Sequence, residues 1–108
     1  MKKDEAMDPV LGVPFDDIIG EDLQDDEFCR LYLNNALQES DPQVFLIALG
    51  RAAKARDMSI TEVARQLQVN RQGIYHALSE KGNPGWNTLF NLLHLMGFDL
   101  QLVKRQPA

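Results

Sequence analysis

The sequence predicts an all-α fold of five helices, with an acidic N-terminal arm before them and one short β-strand after them. Five segments between residues 25 and 96 repeat apolar side chains at helical spacing, most of them behind a capping residue or a proline. Residues 1–24 are acidic, hold two prolines and two glycines, and follow no sustained period. Residues 98–103 alternate apolar and polar side chains, which is the period of a strand.

Length and composition indicate one small globular domain. The chain has 108 residues, of which 44% are hydrophobic and 25% charged. No apolar run is long enough to span a bilayer, and no apolar segment follows Met1–Glu5, so we expect neither a membrane association nor a secretion signal. The single cysteine, Cys29, cannot form an internal disulfide, which favours a reducing, cytoplasmic location.

Charge divides the chain unevenly. We place an irregular arm at residues 1–24 and a domain at residues 25–108. Residues 1–40 carry three Lys/Arg and eleven Asp/Glu, a net charge of −8, whereas residues 41–108 carry eight and five, a net charge of +3. An acidic head on a mildly basic body suggests two surfaces with different partners, and a solvated acidic tail before an ordinary domain is the alternative.

The first two helices are predicted from about Asp25 to Gln38 and from Pro42 to about Arg56. The first has one apolar face, and the second is apolar over more than half its circumference, so we expect it to be central. Asp41 can cap the second helix, where proline suits the first position. A close helix crossing would explain Gly50 inside it.

Residues 59–80 are predicted to form a helix-turn-helix. Ser59 and Glu62 match the capping box S-x-x-E, which opens a short helix. Asn70 can cap the next helix, from Arg71 to about residue 80. Only three residues join the two helices, so they must cross steeply, as in DNA-binding proteins of this type.

The fifth helix and the strand follow a turn. Asn83 is the expected cap and Pro84 the expected first helical residue, and Gly97 is the expected stop. Apolar side chains at helical spacing lie between them: Trp86, Leu89, Phe90, Leu93 and Met96. The strand at residues 98–103 cannot satisfy its backbone alone, and its simplest partner is its own copy in a homodimer.

The second helix of the motif has an outward face suited to DNA. Ile74 and Leu78 are expected to face the core, which leaves polar side chains outside, with no acid before Glu80. Gln and Arg can each make bidentate contacts to bases, and hydroxyls and helix N-termini can hold phosphates. The candidate DNA-contacting residues are Ser59, Thr61, Asn70, Arg71, Gln72, Tyr75, His76, Ser79 and Lys81. Further basic candidates nearby are Arg51, Lys54, Arg56 and Arg65.

Several segments together match one known family. They are Tyr32–Asn34, Asp41–Pro42, Phe45–Leu49, Ala53–Arg56, Ile74–Ser79, Gly82–Pro84 and Leu95–Leu100. These segments resemble the addiction-module antidote family, which contains HigA-like bacterial antitoxins of the phage-repressor (Xre/Cro-like) helix-turn-helix class. The resemblance covers roughly residues 15–103. Gln68 departs from the usual pattern, since glycine often holds this turn position, and Gly73 is unusual on the exposed side of the recognition helix.

The resemblance implies a fold, two partners and no cofactor. It implies a phage-repressor-like domain that binds a palindromic, double-stranded operator as a homodimer and represses its own operon. It also implies that the protein neutralises a RelE/ParE-like toxin in the bacterial cytoplasm.

The acidic head is the candidate toxin contact. Residues 1–40 are too negative to favour DNA, and the resemblance implies a basic toxin, which opposite charge would attract. Apolar anchors in the arm would slow dissociation. The candidate toxin-binding residues are Phe15, Asp16, Asp17, Ile18 and Leu23. The alternative is that the apolar residues of the arm pack on the protein's own helices.

Enzymatic chemistry finds little support in the sequence. His76 and His94 do not have metal-ligand spacing with Cys29, and no phosphate-binding glycine pattern is present. We therefore expect no catalytic residue and no metal site. Two other functions remain open: a stand-alone helix-turn-helix regulator, and a protein-interaction module that uses the helix-turn-helix only as a scaffold.

Overall fold

The computed structural model describes residue 10, residues 20–79 and residues 83–106. Six helices lie in this part of the chain: α1 (Gly20–Gln24), α2 (Asp26–Leu37), α3 (Pro42–Ala55), α4 (Asp57–Leu67), α5 (Arg71–Ala77) and α6 (Trp86–Leu95). The prediction of an all-α fold is confirmed for these residues. Residues 98–106 form neither helix nor strand in the single chain, so the predicted strand is not formed here.

The caps of α2 and α3 determine where these helices begin. The carboxylate of Asp25 accepts a hydrogen bond from the backbone N–H of Glu27 at 3.3 Å. The carboxylate of Asp41 accepts one from Gln43 at 3.0 Å, directly before Pro42. Both carboxylates satisfy amides that have no partner within the helix, and they place negative charge at its positive end.

Helix α1 was not predicted, and with it the described residues form six helices where five were expected. Residues 20–24 were assigned to the irregular arm because five residues are too short to display a helical period. Contacts with distant residues hold this helix. Leu23 is fully buried, and the side-chain amide of Gln24 donates a hydrogen bond to the carbonyl oxygen of Ala55 at 3.1 Å.

The predicted capping box at Ser59 is wrong. Helix α3 ends at Ala55, and α4 begins at Asp57, so Ser59 is the third residue of α4 rather than its cap. Arg56 alone separates the two helices, with φ −110° and ψ 57°. Glu62 does not reach back to a helix start, because its carboxylate is bound to Arg65 and Gln66.

Helix α6 begins later than predicted. Asn83 and Pro84 lie in the preceding loop, and Gly85 is the N-cap, without a side-chain hydrogen bond. The predicted stop at Gly97 is confirmed. Gly97 has φ 93°; its N–H bonds the carbonyl of His94 at 3.0 Å, and the N–H of Phe98 bonds that of Leu93 at 2.9 Å. This pair of bonds is a Schellman motif, which requires a left-handed residue that glycine adopts without strain.

One hydrophobic core joins the helices. Its fully buried side chains include Tyr32, Leu49, Ile60, Val63, Leu78 and Leu92. Helix α3 contributes four small or medium residues to this core, as expected of a central helix: Ala48, Leu49, Ala52 and Ala53. Val69 is apolar, but its side chain is 49% exposed because the turn after α4 lies at the surface. No helix within the described residues has the length and apolarity to cross a membrane.

Candidate nucleic-acid interface

The turn between α4 and α5 is closed by backbone hydrogen bonds. Gln68 adopts the left-handed conformation, with φ 59° and ψ 40°. The N–H groups of Gln68 and Val69 bond the carbonyls of Arg65 and Ala64 at 3.3 and 3.0 Å. This is again a Schellman ending, here without the expected glycine. It reverses the chain within the three residues that the sequence predicted.

Asn70 caps α5 as predicted. Its side-chain oxygen accepts a hydrogen bond from the N–H of Gly73 at 2.7 Å, and its backbone is extended. Helix α5 has seven residues, and it ends at Ala77 rather than near residue 80. Gly73 lies close to its own cap, since a Cβ on Gly73 would be 3.3 Å from that Asn70 oxygen.

Two buried residues orient α5 against the rest of the domain. Ile74 and Leu78 are 3% and 1% exposed, as predicted, and both belong to the core. With these two side chains inside, Arg71, Gln72 and His76 are exposed on the other side of the helix. Helix α5 therefore presents a polar face that contains no carboxylate.

The candidate DNA-contacting residues fall into three groups. Thr61, Asn70, Arg71, Gln72 and His76 are exposed, whereas Tyr75 and Ser79 are half-buried. Lys81 and the side chain of Ser59 lie outside the described part of the structure. Asn70 and Ser79 use polar groups within the motif itself. The Asn70 oxygen serves as the cap, and the Ser79 hydroxyl donates to the carbonyl of His76 at 2.7 Å.

The basic candidates near the motif are not equivalent. Lys54 is exposed in the last turn of α3, and Arg51 is half-buried. Arg65 is exposed but forms an ion pair with Glu62 one turn earlier on α4. That hydrogen-bonded pair lowers the pKa of the Glu62 carboxyl and raises the pKa of Arg65. Because the Glu62 carboxylate stays ionised at neutral pH, it neutralises Arg65 at the surface of α4.

Arg56 is a structural residue, which the sequence did not indicate. Its Nη1 donates hydrogen bonds to the carbonyls of Leu23 and Gln24, both at 3.1 Å. Its Nη2 donates to Asp26 Oδ1 at 2.6 Å and to the carbonyl of Met96 at 3.3 Å. The guanidinium carbon lies 5.6 Å from the ring centroid of Phe98.

These contacts remove Arg56 from the set of phosphate-binding candidates. Its side chain is only 16% exposed, and one guanidinium joins α1, the start of α2 and the end of α6 to the α3–α4 junction. Planar donors at fixed angles suit this role better than a lysine ammonium would. No pattern in the sequence separates this arginine from the other basic residues.

The acidic head has exposed carboxylates around a buried apolar residue. Glu21, Asp22, Asp25, Asp26 and Glu27 are exposed along α1 and the start of α2. Leu23 is 0% exposed and packs in the protein's own core. The other four toxin-binding candidates, Phe15, Asp16, Asp17 and Ile18, lie outside the described residues. Leu23 therefore packs on the protein's own helices, which was the alternative to a contact with the toxin.

Asp26 and Glu27, among the described acids of the head, have cationic partners. Asp26 pairs with Arg56, and Glu27 pairs with Arg30 at 2.5 Å, which lowers the pKa of the Glu27 carboxyl. Cys29 is buried nearby, and burial raises the pKa of its thiol. A buried, protonated thiol behaves as a small apolar side chain. Within the described residues, no cluster of His, Cys, Asp and Glu could hold a metal ion.

Two apolar features lie outside the core. An open groove of about 470 Å³ lies where the end of α2, the start of α3 and the start of α6 meet, with Leu37, Phe45 and Leu89 among its walls. On α6, Trp86 and Phe90 are 63% and 47% exposed, although their spacing predicted a core face. Leu92, Leu93 and Met96 form the buried face of that region instead.

The fold and the site define a class: a small helical protein in which two short helices, joined by a three-residue turn, present a polar face, and which also carries an acidic head on other helices. A family model described as "Probable addiction module antidote protein" matches residues 14–104. The chain belongs to this family, which implies a cognate toxin as partner. It is 38% identical over 90 residues to an uncharacterized protein of Haemophilus influenzae (strain Rd), a match that covers 83% of this chain and 91% of that protein. No solved structure matches the chain significantly.

Proposed function

We propose that this protein is the antitoxin of a type II toxin–antitoxin module in the bacterial cytoplasm. In this proposal it binds operator DNA as a homodimer through a helix-turn-helix formed by α4 and α5, and it represses its own operon. It also neutralises a RelE/ParE-like toxin by direct contact. Both activities are binding events, so the proposal contains no catalytic step, and it needs no cofactor.

The observation that carries the DNA-binding part is the polar face of α5. Ile74 and Leu78 anchor one side of the helix in the core. Arg71, Gln72 and His76 are exposed on the other side. An exposed helix without carboxylates can enter the major groove without repelling phosphates. We assign base contacts to Arg71 and Gln72, since both side chains can make bidentate bonds to base edges.

The remaining candidates fit contacts to the DNA backbone. Ser59 lies in the first turn of α4, where backbone amides favour anions, and Thr61 follows it with a hydroxyl that can bond a phosphate. Tyr75, His76, Ser79 and Lys81 would hold phosphates on either side of the groove. Asn70 would act mainly through its cap, which fixes the start of α5.

The observation that supports the toxin contact is the exposure of the carboxylates on α1 and α2. A basic toxin would be attracted to this surface and oriented by it. Because Leu23 is buried, we assign it the task of holding α1 in place, and we assign the apolar anchoring to Phe15 and Ile18. Asp16 and Asp17 add two negative charges to this part of the sequence, and we assign them the same attraction to a basic toxin.

A paired assay tests the two activities separately. DNA upstream of the coding sequence is titrated at several salt concentrations, beside a scrambled fragment of the same length. We expect sequence preference and a steep loss of affinity with salt. Toxin neutralisation is measured with a deletion of residues 1–19, which keeps α1 and its buried Leu23. We expect this deletion to abolish neutralisation and to leave operator binding intact.

The outcomes separate the proposal from its alternatives. Neutralisation without any DNA preference would identify an interaction module that keeps the two helices only as a scaffold. DNA preference without a toxin partner would identify a stand-alone regulator. Full neutralisation by the deletion variant would exclude the arm as the toxin contact and would leave the rest of the head to be tested by charge reversal on α1.

A further inference from the structure

The exposed side of α6 carries a continuous row of aromatic rings. The ring centroids of Trp86 and Phe90 lie 5.7 Å apart, and those of Phe90 and His94 lie 6.1 Å apart. These residues are spaced by four along the helix, so their rings share one face over more than two turns. We call these three residues the aromatic row. Trp86 and Phe90 are large, rigid and half or more exposed, a combination that marks an interaction surface.

The chemistry of α6 restricts what can bind the aromatic row. Helix α6 contains no Asp, Glu, Lys or Arg, unlike every other helix in the described ranges 20–79 and 83–106. DNA requires cationic side chains, and a basic toxin favours carboxylates. Trp86 and Phe90 offer neither, and only at the far end of the row does the imidazole of His94 lie near a carboxylate, 4.0 Å from that of Asp99. A second copy of the same chain is different, because a two-fold axis brings a surface against itself, and an uncharged surface meets itself without like-charge repulsion.

We infer that the aromatic row is the centre of the homodimer interface, where the rings of two copies pack across a two-fold axis. The inference rests on the proposed function for the dimeric state and names the surface that forms it. The aromatic row contains none of the proposed base-contacting residues, so the polar face of α5 can bind DNA while α6 is covered by the second copy.

The area that the row can bury agrees with a central role. At their observed exposures, Trp86 and Phe90 each offer on the order of 100 Å², so four rings contribute about 400 Å². A stable interface buries about 1,600 Å² in total, so other residues must surround the rings. The extended segment after Gly97 supplies apolar side chains for this purpose: Leu100, Leu102 and Val103 are 44%, 100% and 86% exposed.

The single tryptophan of the chain reports directly on this interface. Trp86 is the only indole, so its emission follows burial of the aromatic row without interference. We expect the emission of the full-length protein to shift to shorter wavelength as its concentration rises. Sedimentation velocity over the same dilution series should show the monomer converting to a dimer over the same range.

Phe90→Gln tests the surface, and Leu31→Gln is the matched control. Leu31 is 49% exposed, close to the 47% of Phe90, but it lies on α2. Phe90→Gln should weaken dimerisation at least about tenfold and remove the concentration-dependent shift of Trp86, since central aromatic residues dominate interfaces. Leu31→Gln should dimerise like the parent protein. If circular dichroism shows that Phe90→Gln is unfolded, Trp86→Gln gives the same test by sedimentation alone.

The result can contradict the inference without contradicting the proposed function. A parent protein that stays monomeric at all concentrations overturns the inference, and so does a Phe90→Gln dimer as tight as the parent. Operator binding, measured on the same samples, is a separate outcome. If the protein binds operator DNA specifically but Phe90→Gln does not weaken its dimer, the proposed function is supported and the inference is wrong. A dimer that depends on Phe90 but binds no DNA would support the inference and contradict the DNA-binding part of the proposed function.

Discussion

A Cβ atom placed on Gly50 of α3 would lie 3.3 Å from the carbonyl oxygen of Leu78 and 3.4 Å from its Cβ. Leu78 is the C-cap of α5, so the C-terminal end of this helix rests directly on the backbone of α3. The absent side chain of Gly50 therefore sets how deeply α5 sits in the domain. This contact explains a glycine in the middle of a helix that is otherwise apolar and central.

We expect Gly50→Leu to lower the free energy of unfolding by about 1–3 kcal/mol, because the larger side chain must displace the end of α5. Operator binding should weaken too, since α5 carries the proposed base contacts. Urea unfolding and a DNA titration measure the two effects. Gly85→Ala is the control, since a Cβ there meets nothing within 4 Å; it should cost no more than a poorer N-cap, about 0.5–1 kcal/mol, and should leave operator binding unchanged.

Gln68→Gly should stabilise the protein by about 0.5–1 kcal/mol. Gln68 has φ 59°, where a residue with a Cβ is strained by about 1–2 kcal/mol and glycine is not. Part of the gain is lost to the greater freedom of glycine in the unfolded chain. Gln66→Gly, in the last turns of α4, should instead destabilise by about 1 kcal/mol. Thermal and urea unfolding that moved both variants in the same direction would contradict the left-handed assignment.

Arg56→Ala should lower the free energy of unfolding by about 2–4 kcal/mol, because it leaves the Asp26 carboxylate and three carbonyls without their donor. Arg56→Lys should recover only part of this loss, since one ammonium cannot match the planar fork. Arg30→Ala removes an arginine from an exposed pair on α2 and should change stability little. Equal stability of the Arg56 and Arg30 variants would show that the guanidinium contacts of Arg56 add nothing.

Glu62→Gln should strengthen DNA binding and steepen its dependence on salt by about one unit of slope, because it leaves Arg65 without a neutralising carboxylate. Since Arg65 lowers the pKa of Glu62, the carboxylate loses its charge only as the pH falls below the ordinary range of a glutamate, and at neutral pH the pair persists. Glu27→Gln breaks the analogous pair on α2 and serves as the control. An unchanged salt slope for Glu62→Gln would mean that Arg65 does not approach a phosphate.

Gln72→Ala should cost about 1–3 kcal/mol of operator binding and relax the preference at one base pair in each half-site. Lys81→Ala should weaken all sequences alike and flatten the salt slope, as expected of a phosphate contact. Titrations against operator variants distinguish the two patterns. Indistinguishable behaviour of the two variants would refute our division between base contacts and phosphate contacts.

Local signals in the sequence located most of the fold. Asp41 followed by Pro42, Asn70 before Arg71, and Gly97 after an apolar period each predicted a helix end that the structure has. These signals act within a few residues and do not depend on tertiary contacts. The two buried anchors of α5 were likewise predictable from their spacing.

Errors occurred where tertiary contacts outweighed local signals. The capping box at Ser59 failed because Arg56, held by distant acceptors, lets α4 begin immediately after α3. Helix α1 was missed because its stability comes from contacts with residues more than thirty positions away. Trp86 and Phe90 have the spacing of a core face, but spacing alone does not determine which of two neighbouring faces of a helix meets the core, and both rings are exposed.

The bonds of Arg56 also impose an order on folding during synthesis. Leu23, Gln24 and Asp26 leave the ribosome before Arg56, whereas Met96 and Phe98 are made about forty residues after it. The acidic head can therefore attach to the α3–α4 junction early, but its anchor is completed only when the end of α6 emerges. A chain that stops after residue 95 would keep the bonds between Arg56 and the head but lack the contacts of Arg56 with Met96 and Phe98, so loss of the C-terminal end would weaken the support of the N-terminal helix.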